Sequence, residues 1–242
     1  MSTYGYLLPT RPTYHHGDLR NSLIQAALTL VAERGVDGFS LRGAARTVGV
    51  SPSACYRHFA DREALLAAVA HEGLDKLAAD MRTAAAPYPE VTPHDAVRRF
   101  WSYSSAYLYF ALSHPAHFRV MHALPKSEQS RVLMLPRTPA VLAQAAMADL
   151  VEVGVVAPET AGRALLACWT SVHGLASLAV SGQLPVGDGM TFAVPLDAVL
   201  RTALIGAGVD ASLLPPELPL PGGACPGIAE MVRDAAEVPT EA

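Results

Sequence analysis

The sequence predicts an all-α protein: an N-terminal head of three short helices, a fourth helix leading out of it, and a larger helical body. Three observations carry this expectation. Apolar residues recur at three- and four-residue spacing in one segment after another. The stretch 40–59, SLRGAARTVGVSPSACYRHF, reads as two short helices joined by a tight turn. With 242 residues, 51% of them hydrophobic, the chain can build two all-helical units and bury a core in each.

Residues 1–13 contain two prolines and little periodicity, and read as a loose arm whose Arg11 could trail into a minor groove. Asp18 is placed to cap a first helix carrying Leu19, Leu23, Ala26, Ala27, Leu30 and Val31, which stops at Gly35. His15 and His16 are adjacent without a third ligand nearby, so they read as capping or surface groups and no metal is expected. Ser40 caps the second helix, 41–48, with Leu41, Ala45 and Val48 on one face. Gly49 permits a left-handed turn, and Ser51 with Pro52 opens the third helix, 52–59. Ala45 is small where two helices must cross closely.

Charge points the same way as geometry. The formal net charge is −4, yet the first 70 residues hold seven Lys and Arg against five Asp and Glu, and the remainder holds eleven against seventeen. Residues 38–60 contain no acid but do contain Arg42, Arg46 and Arg57, a surface suited to a phosphate backbone. Ser40 lies near a helix N-terminus, where its hydroxyl could touch a phosphate. In a helix-turn-helix the first residues of the second helix face base edges, which nominates Ser53 and Ala54 as readers.

Ala45, Gly49-Val50-Ser51, Tyr56-Arg57-His58-Phe59 and Asp61-Arg62-Glu63-Ala64-Leu65-Leu66 together resemble the DNA-binding part of a TetR-family transcriptional regulator. Tyr14-His15-His16-Gly17-Asp18-Leu19-Arg20 resembles the opening of one TetR subgroup. The resemblance implies that Tyr56 and His58 hold phosphates and that Arg62 is the counterpart of the family's basic phosphate-contacting residue. With the readings above, the expected DNA contacts are Ser40, Arg42, Ser51, Ser53, Ala54, Tyr56, Arg57, His58 and Arg62. Two departures matter: Cys55 stands where the family has a larger aliphatic residue, and Ser53-Ala54 replaces a commoner Gly-Thr pair. Base preference therefore cannot be carried over from a relative.

Asp61 caps the fourth helix, which carries Leu65, Leu66, Val69, Leu74 and Leu77 and fades into the proline-rich break 83–93. The organisation expected is an arm 1–13, a TetR-type head 14–78, a helical ligand-binding and dimerisation domain 92–208, and a proline-rich tail 209–242 with one short helix at 228–236. In the body, Pro93 starts a helix ended by His114-Pro115, and a short helix over 116–124 follows. Residues 124–139 carry three prolines and read as a long loop or broken helix; helices over 140–153, 158–181 and 196–206 come after. Within 158–181, Trp169-Thr-Ser-Val-His173-Gly174 resembles the Trp-x-x-x-His-Gly signature of one TetR C-terminal class.

The body supplies Trp101, Tyr103, Tyr107, Phe110, Phe118, Met121, Trp169 and His173. Aromatics at helical spacing are ordinarily core, and His173 reads as a hydrogen-bonded interior histidine beside Trp169. The family resemblance points this set toward a ligand pocket for a largely apolar effector. Helices 158–181 and 196–206, rich in Ala, Gly, Ser and Leu, fit either a dimer interface or intramolecular core.

Cys55, Cys168 and Cys225 have neither metal-like spacing nor an even count, which fits a reduced, cytoplasmic setting. The N-terminus lacks a signal pattern, and the apolar stretch 164–180 is short and interrupted by polar residues, so no membrane partner is expected. No phosphate-binding glycine loop, Gly-x-Ser-x-Gly or His-Glu-x-x-His occurs, so an enzyme is not expected, nor a cofactor. The partners implied are a double-stranded DNA operator, a small effector and a second copy of the chain. A ligand-independent or activating DNA-binding protein is the competing reading.

Overall fold

A computed structural model describes residues 19–124, 138–184 and 192–216. The arm with Arg11, His15, His16 and Asp18, the stretch 125–137, and the tail beyond 216 with Cys225 lie outside those residues. Every regular element described is helical. The elements are α1 (Leu19–Arg34), α2 (Leu41–Val48), α3 (Pro52–Tyr56), α4 (Arg62–Ala85), α5 (Pro93–Ser113), α6 (Pro115–Ala123), α7 (Pro139–Glu152), α8 (Pro158–Val180), α9 (Ala193–Gly206) and a 3-10 turn, Ala211–Leu213. The packing divides into two compact units between Val69 and Ala70, inside α4 and upstream of the proline-rich break.

The first unit closes on small residues and caps. Leu23, Ala27 and Val31 of α1 and Ala44 and Ala45 of α2 have no exposed surface, so α1 and α2 cross at close range. Ser40 Oγ accepts the Gly43 amide at 3.1 Å, and Ser51 Oγ accepts that of Ala54 at 3.2 Å. Gly49 stands at φ +80°; its amide donates to Arg46 O and the Val50 amide to Ala45 O, which ends α2 in a Schellman motif. Asp61 Oδ1 caps α4 through the Ala64 amide at 2.7 Å. Phe59 is buried, and the Arg20 guanidinium lies 5.3 Å above its ring.

In the second unit α5 is the central element, packed against α6, α7, α8 and α9. Val97, Leu108 and Ala111 of α5 meet Leu150, Ala176 and Leu200 in a core with almost no exposed surface. At the start of α5, Thr92 Oγ1 accepts the Asp95 amide at 3.2 Å, with Pro93 in the first turn. Arg99 fastens this end: it donates to Tyr88 O and Glu90 O and pairs with Asp149 of α7. Arg119 donates to Val180 O at the C-terminus of α8, at 3.1 Å.

Candidate nucleic-acid interface and apolar cavity

Burial within the head sorts the expected DNA contacts. The short third helix leaves Pro52, Ser53 and Tyr56 exposed, Tyr56 by 49%, as the turn after it leaves Arg57 and His58, while Cys55 alone of the helix turns fully inward. Its thiol lies 3.8 Å from Leu41 O, so the small sulfur side chain fits α3 closely against α2; burial pushes the thiol pKa up. Ser53 Oγ sits 2.9 Å from Ser51 Oγ, which fixes the reader and the cap beside each other. The amides of His58 and Phe59 both return to Cys55 O, so the chain leaves α3 after Tyr56, three residues earlier than the spacing predicts. Ser40 and Arg42 are also exposed.

Arg62 is placed otherwise than expected. Its Nη2 donates to Val36 O at 2.6 Å, its Nε to Phe39 O at 3.3 Å, and its Nη1 lies 3.3 Å from Glu63 Oε1. The guanidinium ties the loop between α1 and α2 to the start of α4. The expected phosphate contact would have to share it with that clamp.

The second unit holds a cavity of about 500 Å3. Leu74, Leu77 and Met81 of α4 form one wall, Phe100, Tyr103, Ser104 and Tyr107 of α5 another, and Met121 and His122 of α6 the end. Ala140, Ala143 and Gln144 of α7 and Leu165, Cys168, Trp169, Val172 and His173 of α8 complete it. Of the residues nominated from the sequence, Tyr103, Tyr107, Met121, Trp169 and His173 line this space.

Three nominated residues do not. Phe110 is buried one turn past Tyr107 on α5, beyond the lining residues, and stacked on His114 at 5.0 Å. Phe118 is buried behind the wall, edge-on to Tyr107 at 5.9 Å and 4.4 Å from the His122 ring. Trp101 packs on the α5–α9 core with the Arg201 guanidinium 5.9 Å from its ring. Phe110 and Phe118 lie a turn along their helices from the lining residues Tyr107 and His122, where the packing closes, and Trp101 faces away from the lining side of α5.

Sequence reasoning missed the α4 wall and His122. The available signal was Gly73. A Cβ there would stand 2.8 Å from Met121 Sδ and 3.2 Å from His117 Cβ, so any side chain at this position would press on α6 where it meets α4. Glu72 Oε1 reaches His117 Nε2 across the same contact at 3.4 Å.

The polar part of the wall is a linked array. Tyr107 Oη lies 2.8 Å from His173 Nδ1 and 3.2 Å from His122 Nε2, and His122 Nδ1 lies 2.8 Å from Phe118 O. Trp169 stacks on His173 at 5.5 Å and 16°. Burial lowers the pKa of both histidines, that of His122 further through His173, and raises those of Tyr107 and Cys168, the thiol to about 11. Burial thus favours the uncharged form of each of these groups.

Two family models match the chain: that of bacterial regulatory proteins, tetR family, over residues 23–69, and the tetracyclin repressor-like C-terminal domain over residues 102–204. The chain is 35% identical over 77 residues to the HTH-type transcriptional regulator BetI of Rhizobium meliloti (strain 1021), covering 30% of this chain and 38% of that protein. It is 48% identical over 50 residues to the tetracycline repressor protein class A from transposon 1721 of Escherichia coli, covering 21% and 23% respectively. The chain thus matches well under half the length of either curated relative. Among solved structures, a protein of unknown function from Rhodococcus sp. RHA1 is similar with a TM-score of 0.65 and 32% identity over 81% of this chain and 99% of that one. A tetR-family bacterial regulatory protein from Rhodococcus RHA1 follows at 0.59 and 21% over 79% and 98%.

Proposed function

The chain belongs to the TetR family of bacterial regulatory proteins, and from that membership we propose that it is a ligand-responsive transcriptional repressor, a cytoplasmic homodimer released from a palindromic operator by a small, largely apolar effector. The carrying observation is that one helix belongs to both halves of the task. α4 begins at Arg62, bonded to the loop that precedes α2, and ends with Leu74, Leu77 and Met81 on the wall of the cavity. A molecule filling the cavity bears on the helix from which the reading head continues.

The head supports DNA binding by exposing Ser53 and Tyr56 on α3 and Arg57 and His58 in the turn that follows it, with Ser40 and Arg42 nearby in sequence at the start of α2. Ser53 and Ala54 would read bases, and Tyr56, Arg57 and His58 would hold phosphates. One such helix reads too few base pairs, so two copies would address half-sites about 34–36 Å apart or a multiple of that. Exposed Leu166, Trp169 and Leu178 on α8 and Ile205 on α9 support pairing of copies through these helices.

Ligand control follows from linkage. Effector and operator must weaken each other equally, by about 1–3 kcal/mol in typical cases. The test is operator release across a panel of small metabolites, with direct binding measured on the same samples. A compound that binds and lowers operator affinity supports the reading; cavity ligands that leave operator affinity unchanged would leave a ligand-independent DNA-binding protein.

A further inference from the structure

α1 brings a cation to the turn that follows α3. Leu19, Leu23 and Ile24 bury one face of α1, and Arg20 stands beside that face in the first turn, exposed. Side chains on a helix lean toward its N-terminus, so the Arg20 guanidinium reaches along the start of α1 and rests 5.3 Å from the centre of the Phe59 ring. Phe59 is itself fixed: it is buried, and its amide and that of His58 both return to Cys55 O. The cation is thereby held next to the turn in which Arg57 and His58 are exposed.

Its surroundings set it apart from other arginines of the head. Among the described residues Arg34 pairs with Glu33 at 3.8 Å and Arg62 with Glu63 at 3.3 Å, and Arg62 also donates to Val36 O and Phe39 O. Arg20 has the Phe59 ring and no acid. The acids that follow the turn in sequence are occupied: Asp61 Oδ1 accepts the Ala64 amide at 2.7 Å, and Glu63 holds Arg62. Contact with an aromatic ring orients a guanidinium yet leaves most of its N–H donors free, and their planar fork suits phosphate oxygens. The fold adds this cation to the stretch 38–60, which holds no Asp or Glu and already carries Arg42, Arg46 and Arg57.

We propose that Arg20 is a further phosphate-binding residue of the head, supplied by α1 to the DNA strand beside the turn after α3. The inference rests on the reading of α3 as the DNA-facing helix and adds to it a contact from outside the helix-turn-helix. A phosphate held in this way carries no sequence information; it fixes the register of the head on the duplex.

Affinity of the full chain for a random-sequence duplex pool, read by fluorescence anisotropy at about 50 and 200 mM salt, tests the assignment. One phosphate contact contributes about 0.9 to the slope of log affinity on log salt, so Arg20→Ala is expected to cost about three- to fourfold more affinity at the lower salt than at the higher. Arg20→Lys keeps the charge and is expected to keep the slope. Arg34→Ala removes the same charge from the far end of α1 and is also expected to keep it, which separates a contact from a change in net charge. Thermal unfolding on the same preparations guards against a head that fails to fold. Should Arg20→Ala melt early, Arg20→Gln, which keeps part of the stem on the ring, takes its place and the same slopes decide. An unchanged slope on removing the Arg20 charge, or an equal fall in Arg34→Ala, overturns the assignment and leaves DNA binding by the head standing. Affinity of the unmodified protein that does not respond to salt overturns both.

Discussion

Arg62 Nη2 donates to Val36 O at 2.6 Å, and the same guanidinium donates through Nε to Phe39 O at 3.3 Å. A cation in the first turn of a helix opposes the helix dipole by about 0.3–1 kcal/mol, and these two carbonyls offset that cost without any nucleic acid present. Arg62→Ala is therefore expected to lower the stability of the head by about 1–3 kcal/mol, the range for a charged donor lost from part-buried acceptors. Thermal unfolding checks this. If Arg62→Ala leaves the melting temperature unchanged while removing about one unit of salt slope in DNA binding, the arginine serves a phosphate and not the loop.

The cavity yields a cleaner separation of functions. Ala143 on α7 faces a space of about 500 Å3, so Ala143→Phe has room for its ring. Effector binding is expected to fall by about tenfold or more, and operator affinity measured alongside shows whether filling the space is by itself enough to act on the head. Calorimetry and DNA binding on one preparation decide the matter; unchanged effector affinity would move the ligand elsewhere.

Leu178 and Ile205 are exposed by 42% and 46% on α8 and α9. Leu178→Asp with Ile205→Asp is expected to convert dimer to monomer at micromolar concentration, since each places a carboxylate in an apolar contact. Sedimentation velocity reads the outcome. A double variant that stays dimeric places the interface on another face.

Acid should weaken the body. His122 and His173 have pKa values lowered by burial from the ordinary 6.5, and His117 is lowered likewise despite Glu72. A group whose folded pKa is depressed contributes its full stability above the unfolded value of 6.5, and loses it as pH falls through the folded value. Melting temperature is expected to be flat above about pH 7 and to drop below 6.5. The drop should be shallower in His173→Gln; an identical slope would mean that this ring stays neutral without cost.

Much of the head was legible because its turns impose chemical demands that few residues meet. Gly49 at φ +80° and the caps Ser40 and Ser51 occur where the pattern put them. The early end of α3 was not legible, because no stop residue marks Arg57; the bonds of His58 and Phe59 back to Cys55 O set it. In the body, residue type was legible and the extent of the cavity along each helix was not. Tyr107 and Phe110 are one turn apart on α5, yet one lines the cavity and the other is core. That division depends on the approach of α6 and α8, contacts made by residues far away in sequence. The α4 wall was missed for the same reason, although Gly73 held the clue.

Selection of bound duplexes from a random pool by the full-length protein tests the account most directly, repeated with Ser53→Ala and Tyr56→Phe. The account predicts a palindrome whose half-sites lie about one helical turn or a multiple apart. It also predicts a changed base at one position of each half-site for Ser53→Ala, and a uniform loss of affinity for Tyr56→Phe. A pool that comes through unenriched, with affinity set by salt alone, would contradict it.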